Sequence, residues 1–278
     1  MSDIRLALIN GTGPPGQHYD RVMVSSYCHQ LGQQLGPTSF YQRGPHTFGN
    51  DLRDEAQAAY RWLKAAHEDD PELRLMLAGY SRGGSAAIMV CEWLQQDGIE
   101  VDSLFLFDAV ARHKFPGGAV IPANVRFSRH ARRHLSEEFI AKYEGTLRQI
   151  SLLGGLQNPA RPNFGNVGLL WRGTGDHAPA EAFLGSHGAI GGVGWGFVLE
   201  DSDCERQVAT WMNEHLLSRG VEASLDAAPP RDDAKPTHPS HLERWLTHNI
   251  YQFIEEHDEP HHKAAESGAE ADGASRRP

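Results

Sequence analysis

With 278 residues, 40% of them hydrophobic, and glycine-punctuated apolar runs, the chain is long enough for one large α/β domain and too short for two of that size. Its formal net charge of -10 argues against nucleic acid as a partner, because an acidic surface gains nothing from counterion release off a phosphate backbone. Three cysteines at unrelated spacings, Cys28, Cys91 and Cys204, form neither a disulfide framework nor a zinc-knuckle pattern, and read as small buried apolar residues.

The first predicted element is a strand, Ile4-Arg5-Leu6-Ala7-Leu8-Ile9. Met1-Ser2-Asp3 leads straight into it, without the basic and long apolar regions of a secretory signal, so cytoplasmic synthesis is expected and only a leaderless export route is left open. Gly11-Thr12-Gly13-Pro14-Pro15-Gly16 is a turn-rich loop. A helix is expected over about Arg21 to Leu35, then a short strand, Ser39-Phe40-Tyr41-Gln42. Leu52, Ala56, Ala59, Tyr60, Leu63 and Ala66 recur at helical spacing, and Asp69-Asp70-Pro71 closes that helix.

Next comes an apolar run, Leu73 to Ala78, then Gly79-Tyr80-Ser81-Arg82-Gly83-Gly84, then a helix-forming run, Ser85 to Leu94. This is the strand, turn and helix context in which a G-x-S-x-G serine becomes a nucleophile. The tight turn lifts the hydroxyl clear of the sheet edge, and the flanking glycines let strand and helix backbones approach without Cβ clashes. A helix starting at Arg82 would also aim its positive end at a developing oxyanion, so the Arg82 backbone N–H is the first oxyanion-hole candidate. The alternative is an ordinary serine in a tight βα turn.

Val101 to Phe107 is an apolar run of buried-strand type that ends in a carboxylate, Asp108. Strands alternating with helices imply βαβ units and a mostly parallel sheet with helices on both faces. Residues 111–180 hold the loop Phe115-Pro116-Gly117-Gly118, a helix near Glu137 to Gln149 and a Gly/Asn/Pro-rich stretch over 154–168, together a candidate cap. Ala182-Phe183-Leu184 reads as a last strand before Ser186-His187-Gly188, and Glu205 to Ser218 as a helix. Residues 1–222 are thus expected to form the catalytic domain. Residues 223–257 form a linker and an amphipathic helix carrying Leu242, Trp245, Leu246, Ile250 and Phe253, and 258–278 a disordered tail. Residues 222–278 hold 12 of the 36 acidic side chains against 6 of the 26 basic ones, so the charge sits in the tail. The longest uncharged stretch, Ala182 to Leu199, contains six glycines and a histidine and makes a poor membrane span.

A serine hydroxyl needs a base, and the base needs a carboxylate to fix its tautomer. In the order Ser, acid, His, the candidates are Ser81, Asp108 at a strand's carboxyl end, and His187, whose neighbours Gly188, Gly191 and Gly192 would let its loop fold close to Ser81. Asp176 is the rival acid, and His177, His215 and His248 are rival bases. The second oxyanion donor is expected from the loop after the first strand, at the backbone N–H of Thr12 or a neighbour. No cofactor is required. His130 and His134 share a helix face if that segment is helical, but they lack the glutamate of H-E-x-x-H and flank two arginines, so a metal site is not expected. Arg126, Arg129, Arg132 and Arg133 form either a solvated helix face or a contact for an anionic head group.

Five blocks in order resemble the α/β-hydrolase domain of the type VI secretion phospholipase effectors and their relatives. They are Asn10-Gly11-Thr12, Tyr41-Gln42-Arg43-Gly44, Gly79-Tyr80-Ser81-Arg82-Gly83-Gly84, Asp108-Ala109-Val110 and His187-Gly188-Ala189-Ile190-Gly191-Gly192, and Ala209-Thr210-Trp211-Met212 resembles the family's next helix. The resemblance covers residues 4–221 and implies a Ser81, Asp108, His187 triad. Asn10 and Ala189 stand where the family has aspartate, and Ala109 where it has threonine. The expected activity is that of a serine ester hydrolase, lipase- or phospholipase-like or a carboxylesterase, acting on a small-molecule or lipid ester with peripheral lipid contact open. A thioesterase and a non-catalytic scaffold that binds a ligand or protein are the alternatives.

Overall fold

The computed structural model describes residues 3–13, 19–20, 23–45, 51–111, 115–134, 136–139, 142, 165–194 and 198–227. The helix expected over 239–257, the acidic tail, His248 and most of the segments expected over 137–149 and 154–168 lie outside the described residues.

Seven strands form one sheet: β1 (Ile4–Ile9), β2 (Ser39–Gln42), β3 (Arg74–Tyr80), β4 (Val101–Phe107), β5 (Val125–His134), β6 (Asp176–His177) and β7 (Glu181–Leu184). Their order is β2-β1-β3-β4-β5, and β5 pairs with β6 through its first half and β7 through its second. Every pairing is parallel. Parallel neighbours need crossovers, and these are α1 (Tyr27–Leu35), α2 (Leu52–Asp69) and α3 (Arg82–Gln96), while α4 (His187–Ile190) and α5 (Asp201–Ser218) follow β7.

Alternation along the strands divides the core. Leu6 and Leu8 of β1, Met76, Ala78 and Tyr80 of β3, and Phe105 and Phe107 of β4 face one side, where Cys28 and Leu31 of α1 and Val208, Met212 and Leu216 of α5 cover them. Ala7 and Ile9, Leu75 and Leu77, and Leu104 and Leu106 face the other side, under Leu52, Ala56, Ala59 and Leu63 of α2 and Ala87, Val90 and Leu94 of α3. Each fully buried leucine or phenylalanine contributes about 1.5–3 kcal/mol through burial. The mostly parallel sheet with helices on both faces is the architecture expected from the sequence. Among the described residues no helix is long and apolar enough to cross a membrane.

Two expectations need correction. The helix expected over about Arg21 to Leu35 is not one continuous element: Tyr19, Asp20 and Met23 are helical, the chain turns at residues 24–26, and α1 begins at Tyr27, where the Ser26 hydroxyl caps it by accepting from the His29 N–H. The arginine-rich segment is β5, not a helix face. Phe127, Arg129, Ala131 and Arg133 share one face of that strand, and the two intervening histidines, His130 and His134, stand about 13 Å apart along it rather than one helical turn. Arg126 pairs with Glu100, Arg129 lies over the Phe127 ring at 4.1 Å and pairs with Asp176, and Arg133 is buried. That placement removes the solvated-helix reading, and among the described residues no cluster of metal-ligating side chains is present.

Candidate active site

The sharp turn between β3 and α3 holds Ser81 at φ 57° and ψ -129°, outside the regions a non-glycine residue ordinarily occupies. Backbone hydrogen bonds over-determine it: the Ser81 N–H donates to the Phe107 carbonyl at 3.0 Å, and the Ser81 carbonyl accepts from Gly84 and Val110 at 2.9 and 3.0 Å. Two glycines are required by contact. A Cβ at Gly79 would overlap the Gly83 carbonyl, and one at Gly83 would overlap the Ile9 carbonyl of β1.

Asp108 follows β4 directly, with φ 41° and no solvent exposure. Its N–H donates to the Ala131 carbonyl of β5 at 2.7 Å. His187 opens α4, whose cap Ser186 is fixed by Asp201 of α5: the Ser186 N–H and hydroxyl donate to the two Asp201 oxygens at 2.8 and 2.6 Å. The imidazole stacks on Tyr80 with centroids 5.1 Å apart, and the Tyr80 hydroxyl donates to the His187 carbonyl at 3.2 Å. Gly191 makes the approach possible, since a Cβ there would run into the Tyr80 ring.

These anchors bring the three residues into one hydrogen-bonded line. His187 Nδ1 lies 2.6 Å from Asp108 Oδ2, and His187 Nε2 lies 2.9 Å from Ser81 Oγ. A carboxylate can only accept, so Nδ1 carries the proton and Nε2 accepts from the serine hydroxyl. Burial alone would raise the Asp108 carboxyl. The hydrogen bond and charge of His187, with the charges of Arg133 and His130, outweigh burial and hold it below the usual carboxylate range.

The loop after β1 borders the other side of Ser81. Asn10 Oδ1 accepts from the Gly11 N–H at 2.8 Å, while Asn10 Nδ2 donates to the Ser26 and Tyr41 hydroxyls at 2.7 and 3.0 Å. The Tyr19 hydroxyl donates to the Gly11 carbonyl at 2.5 Å and accepts from the Gly44 N–H at 2.6 Å. A Cβ on Gly11 would stand 3.2 Å from Ser81 Cβ, so the loop passes against the nucleophile. Thr12 follows, 4% exposed, and its hydroxyl has no hydrogen-bond partner among the described residues. Arg82 opens α3 at the helix's positive end.

The described rivals are engaged elsewhere. Asp176 is exposed and paired with Arg129, His177 Nδ1 shares a hydrogen bond with Ser128 Oγ at 2.8 Å, and His215 packs edge-on against Trp211. Sequence reasoning missed Asp201 and Tyr19, which pin the His187 and Gly11 segments, and it missed two residues of β5. His130 Nε2 accepts from the Ala109 N–H at 3.1 Å, and burial pulls this imidazole down to about 4, so it stays neutral. The Arg133 N–H donates to Asp108 Oδ1 at 3.3 Å, and its Nε lies 3.7 Å from Asp108 Oδ2. Alternation of Phe127 and Ala131 with charged residues was the available signal for the strand that carries them.

No family model matches the sequence, and no curated protein matches it. Among solved structures, the NocB thioesterase domain, in covalent complex with a fluorophosphonate nocardicin G analog, is 14% identical, with 73% of this chain and 93% of that one covered and a TM-score of 0.39. The RedJ thioesterase of the prodiginine pathway in Streptomyces coelicolor is 11% identical over 68% of this chain and 81% of that one, with a TM-score of 0.35. A cutinase-like protein from Cryptococcus sp. is 20% identical with a TM-score of 0.25, and the match spans 37% of this chain and about half, 52%, of that one. By its own parallel sheet, its β3–α3 elbow and the helices on both faces, the chain has an α/β-hydrolase fold.

Proposed function

We propose that this chain is a serine ester hydrolase working through an acyl-enzyme. Ser81 is the nucleophile, His187 the general base and then acid, and Asp108 the residue that holds the imidazole. The observation that carries the reading is the unbroken line from Ser81 Oγ through His187 to Asp108, at 2.9 and 2.6 Å, within a buried site. His187 Nε2 accepts the serine proton as Oγ attacks the ester carbonyl. The backbone N–H groups of Arg82 and Thr12 receive the charge that develops on the carbonyl oxygen. His187 then passes the proton to the departing alkoxide, and the same steps with water in place of serine release the acid. Side chains and backbone suffice for this chemistry.

The substrate is read as an ester with an acyl chain, lipid or soluble. The five residue blocks resemble the secreted phospholipase domains but depart from them at Asn10, Ala109 and Ala189, which argues against phospholipid as the substrate, and in this reading residues 1–222 form the catalytic domain with 111–180 contributing its cap. A fluorophosphonate probe followed by mass spectrometry should label Ser81, and Ser81→Ala and His187→Ala should abolish labelling. A series of acyl esters and matching thioesters then separates lipase, carboxylesterase and thioesterase. Well-folded protein that the probe leaves unlabelled would sink the hydrolase reading in favour of a non-catalytic scaffold.

A further inference from the structure

We propose that Arg133 is a positioning residue for the Ser81–His187–Asp108 line: its guanidinium and its backbone N–H fix the Asp108 carboxylate, and its positive charge keeps His187 in the unprotonated, base-competent form at lower pH. The proposal rests on the serine hydrolase reading for its catalytic meaning, but its electrostatic part stands on the geometry of the buried cluster.

Arginine is seldom buried unless paired, and here it is 3% exposed. β5 delivers it to the triad acid twice over, by the backbone N–H at 3.3 Å from Oδ1 and by the side-chain Nε at 3.7 Å from Oδ2, the oxygen that also accepts from His187. Asp108 is therefore gripped from the β5 side while its other flank holds the imidazole. The next strand residue on the opposite face, Arg132, and its neighbour His130 extend the arrangement, with His130 fixing the peptide after Asp108.

Charge decides what this grip does. A neutral His187 beside an ionised Asp108 carries one negative charge into a site closed to solvent. Arg133 brings the cluster to zero. When His187 takes up a proton, the cluster becomes net positive, and a buried cation close by opposes that step. The surrounding groups are Tyr80 of β3, Asp108 after β4, His130 and Arg132 of β5, His187 of α4, Cys28 of α1, and Asp201, Cys204 and Glu205 of α5. Of these, Tyr80 and the two cysteines are pushed up by burial and stay neutral, and His130 is pushed down and stays neutral. Burial also lowers Arg133, to about 10, with Asp108 and Tyr80 opposing, so it is cationic throughout the working range. Asp201 acts through the serine cap of α4, and Glu205 accepts from the Gly194 N–H at 2.6 Å. Arg133 is thus the cation placed directly on the triad acid.

The test titrates the His187 ring by NMR in the full chain and in Arg133→Gln and Arg133→Lys, alongside the pH dependence of fluorophosphonate labelling. Loss of the charge should raise the His187 titration midpoint by roughly one pH unit, and the acid limb of the labelling rate should move with it. Arg133→Lys keeps the charge and loses the planar fork, so its midpoint should stay near that of the parent while the plateau rate falls. A rate lowered evenly at all pH in Arg133→Gln with an unmoved midpoint would overturn the proposal and leave Arg133 a packing residue. Should the glutamine variant fail to fold, Arg133→Met, which keeps the apolar stem and removes the charge, is read the same way: a raised midpoint supports the proposal, and an unmoved one overturns it. Because the ring titration does not depend on turnover, an unlabelled parent protein would sink the hydrolase reading while this measurement still judged Arg133.

Discussion

The two halves of the site are built on different terms. On the His187 and Asp108 side each residue of the line is held by a neighbour: Asp201 holds Ser186, Tyr80 holds the His187 carbonyl, His130 holds the Ala109 N–H, and Arg133 holds Asp108. On the Gly11 and Thr12 side the backbone is just as firmly placed, by Asn10 and Tyr19, yet a buried hydroxyl on Thr12 is left without a hydrogen-bond partner among the described residues. Buried polar groups are nearly always satisfied, and the exceptions tend to await a ligand. The hydrogen-bonded line through His187 is complete in the resting protein, whereas the side proposed to hold the oxyanion keeps a buried hydroxyl with no partner among the described residues.

The largest expected effect comes from breaking the relay without changing its shape. Asp108→Asn keeps the size of the side chain but offers an amide donor to His187, so the imidazole settles with its proton on the wrong nitrogen. A fall in kcat of about 10⁴ is expected, together with lower stability, because the amide leaves the buried Arg133 guanidinium without its counter-charge. Turnover of an ester by the purified variant is the readout, and a fall of less than tenfold would break the assignment of Asp108 as the orienting acid.

Smaller, and aimed at the other half, is Thr12→Val. Valine matches threonine in shape and removes only the hydroxyl. If that hydroxyl donates to the oxyanion beside the backbone N–H groups, kcat should fall by roughly 10²–10³ with KM unchanged, and Thr12→Ser should restore most of it. Since the hydroxyl is unpartnered in the resting state, Thr12→Val should leave Tm equal or slightly higher. A lower Tm with unchanged kcat would erase the contrast between the two halves and make Thr12 a packing residue.

Much of this contrast was legible in the sequence where the local rules were unopposed. The elbow announces itself because glycines at 79 and 83 and a serine between an apolar strand and a small-residue helix have few other uses. Asp108 and His187 follow from strand ends and glycine spacing. β5 was hidden by its composition: six charged or potentially charged residues among Phe127, Ser128 and Ala131 read as a solvated surface, and only tertiary context could reveal that Arg133 points into the core against Asp108. The helix cap at Ser26 was missed for a similar reason, since a single serine hydroxyl outweighed a weak helical period through residues 21–26. The role of Asn10 also becomes visible only in the fold, where a neutral amide can donate to two hydroxyls and accept from Gly11 at once.

The relay side should also differ from the oxyanion side in how its stability responds to acid, and His130 provides the handle. Its imidazole titrates near 4 in the fold because burial penalises the charged form, against about 6.5 in an unfolded chain. Between those values the unfolded state binds the extra proton, so stability rises with pH and is lost as pH falls from 6.5 towards 4. Lowering the pH from 7 to 5 should therefore cost about 2 kcal/mol through this one group. Glu55 works in the opposite direction: burial first, then Asp51 and Asp54, raise its carboxyl to about 9, so its contribution weakens as pH rises above 4.5. The two are separated by comparing urea unfolding of the parent and His130→Gln, whose amide can still accept from the Ala109 N–H. The difference between the two proteins should shift in favour of the glutamine variant by about 2 kcal/mol from pH 7 to pH 5, because that variant has no imidazole left to charge. A difference that stays constant over this range would mean that His130 takes up its proton as readily in the fold as in the unfolded chain. The His187 and Asp108 side would then hold a second buried cation beside Arg133, and the charge balance drawn for the relay would have to be redrawn.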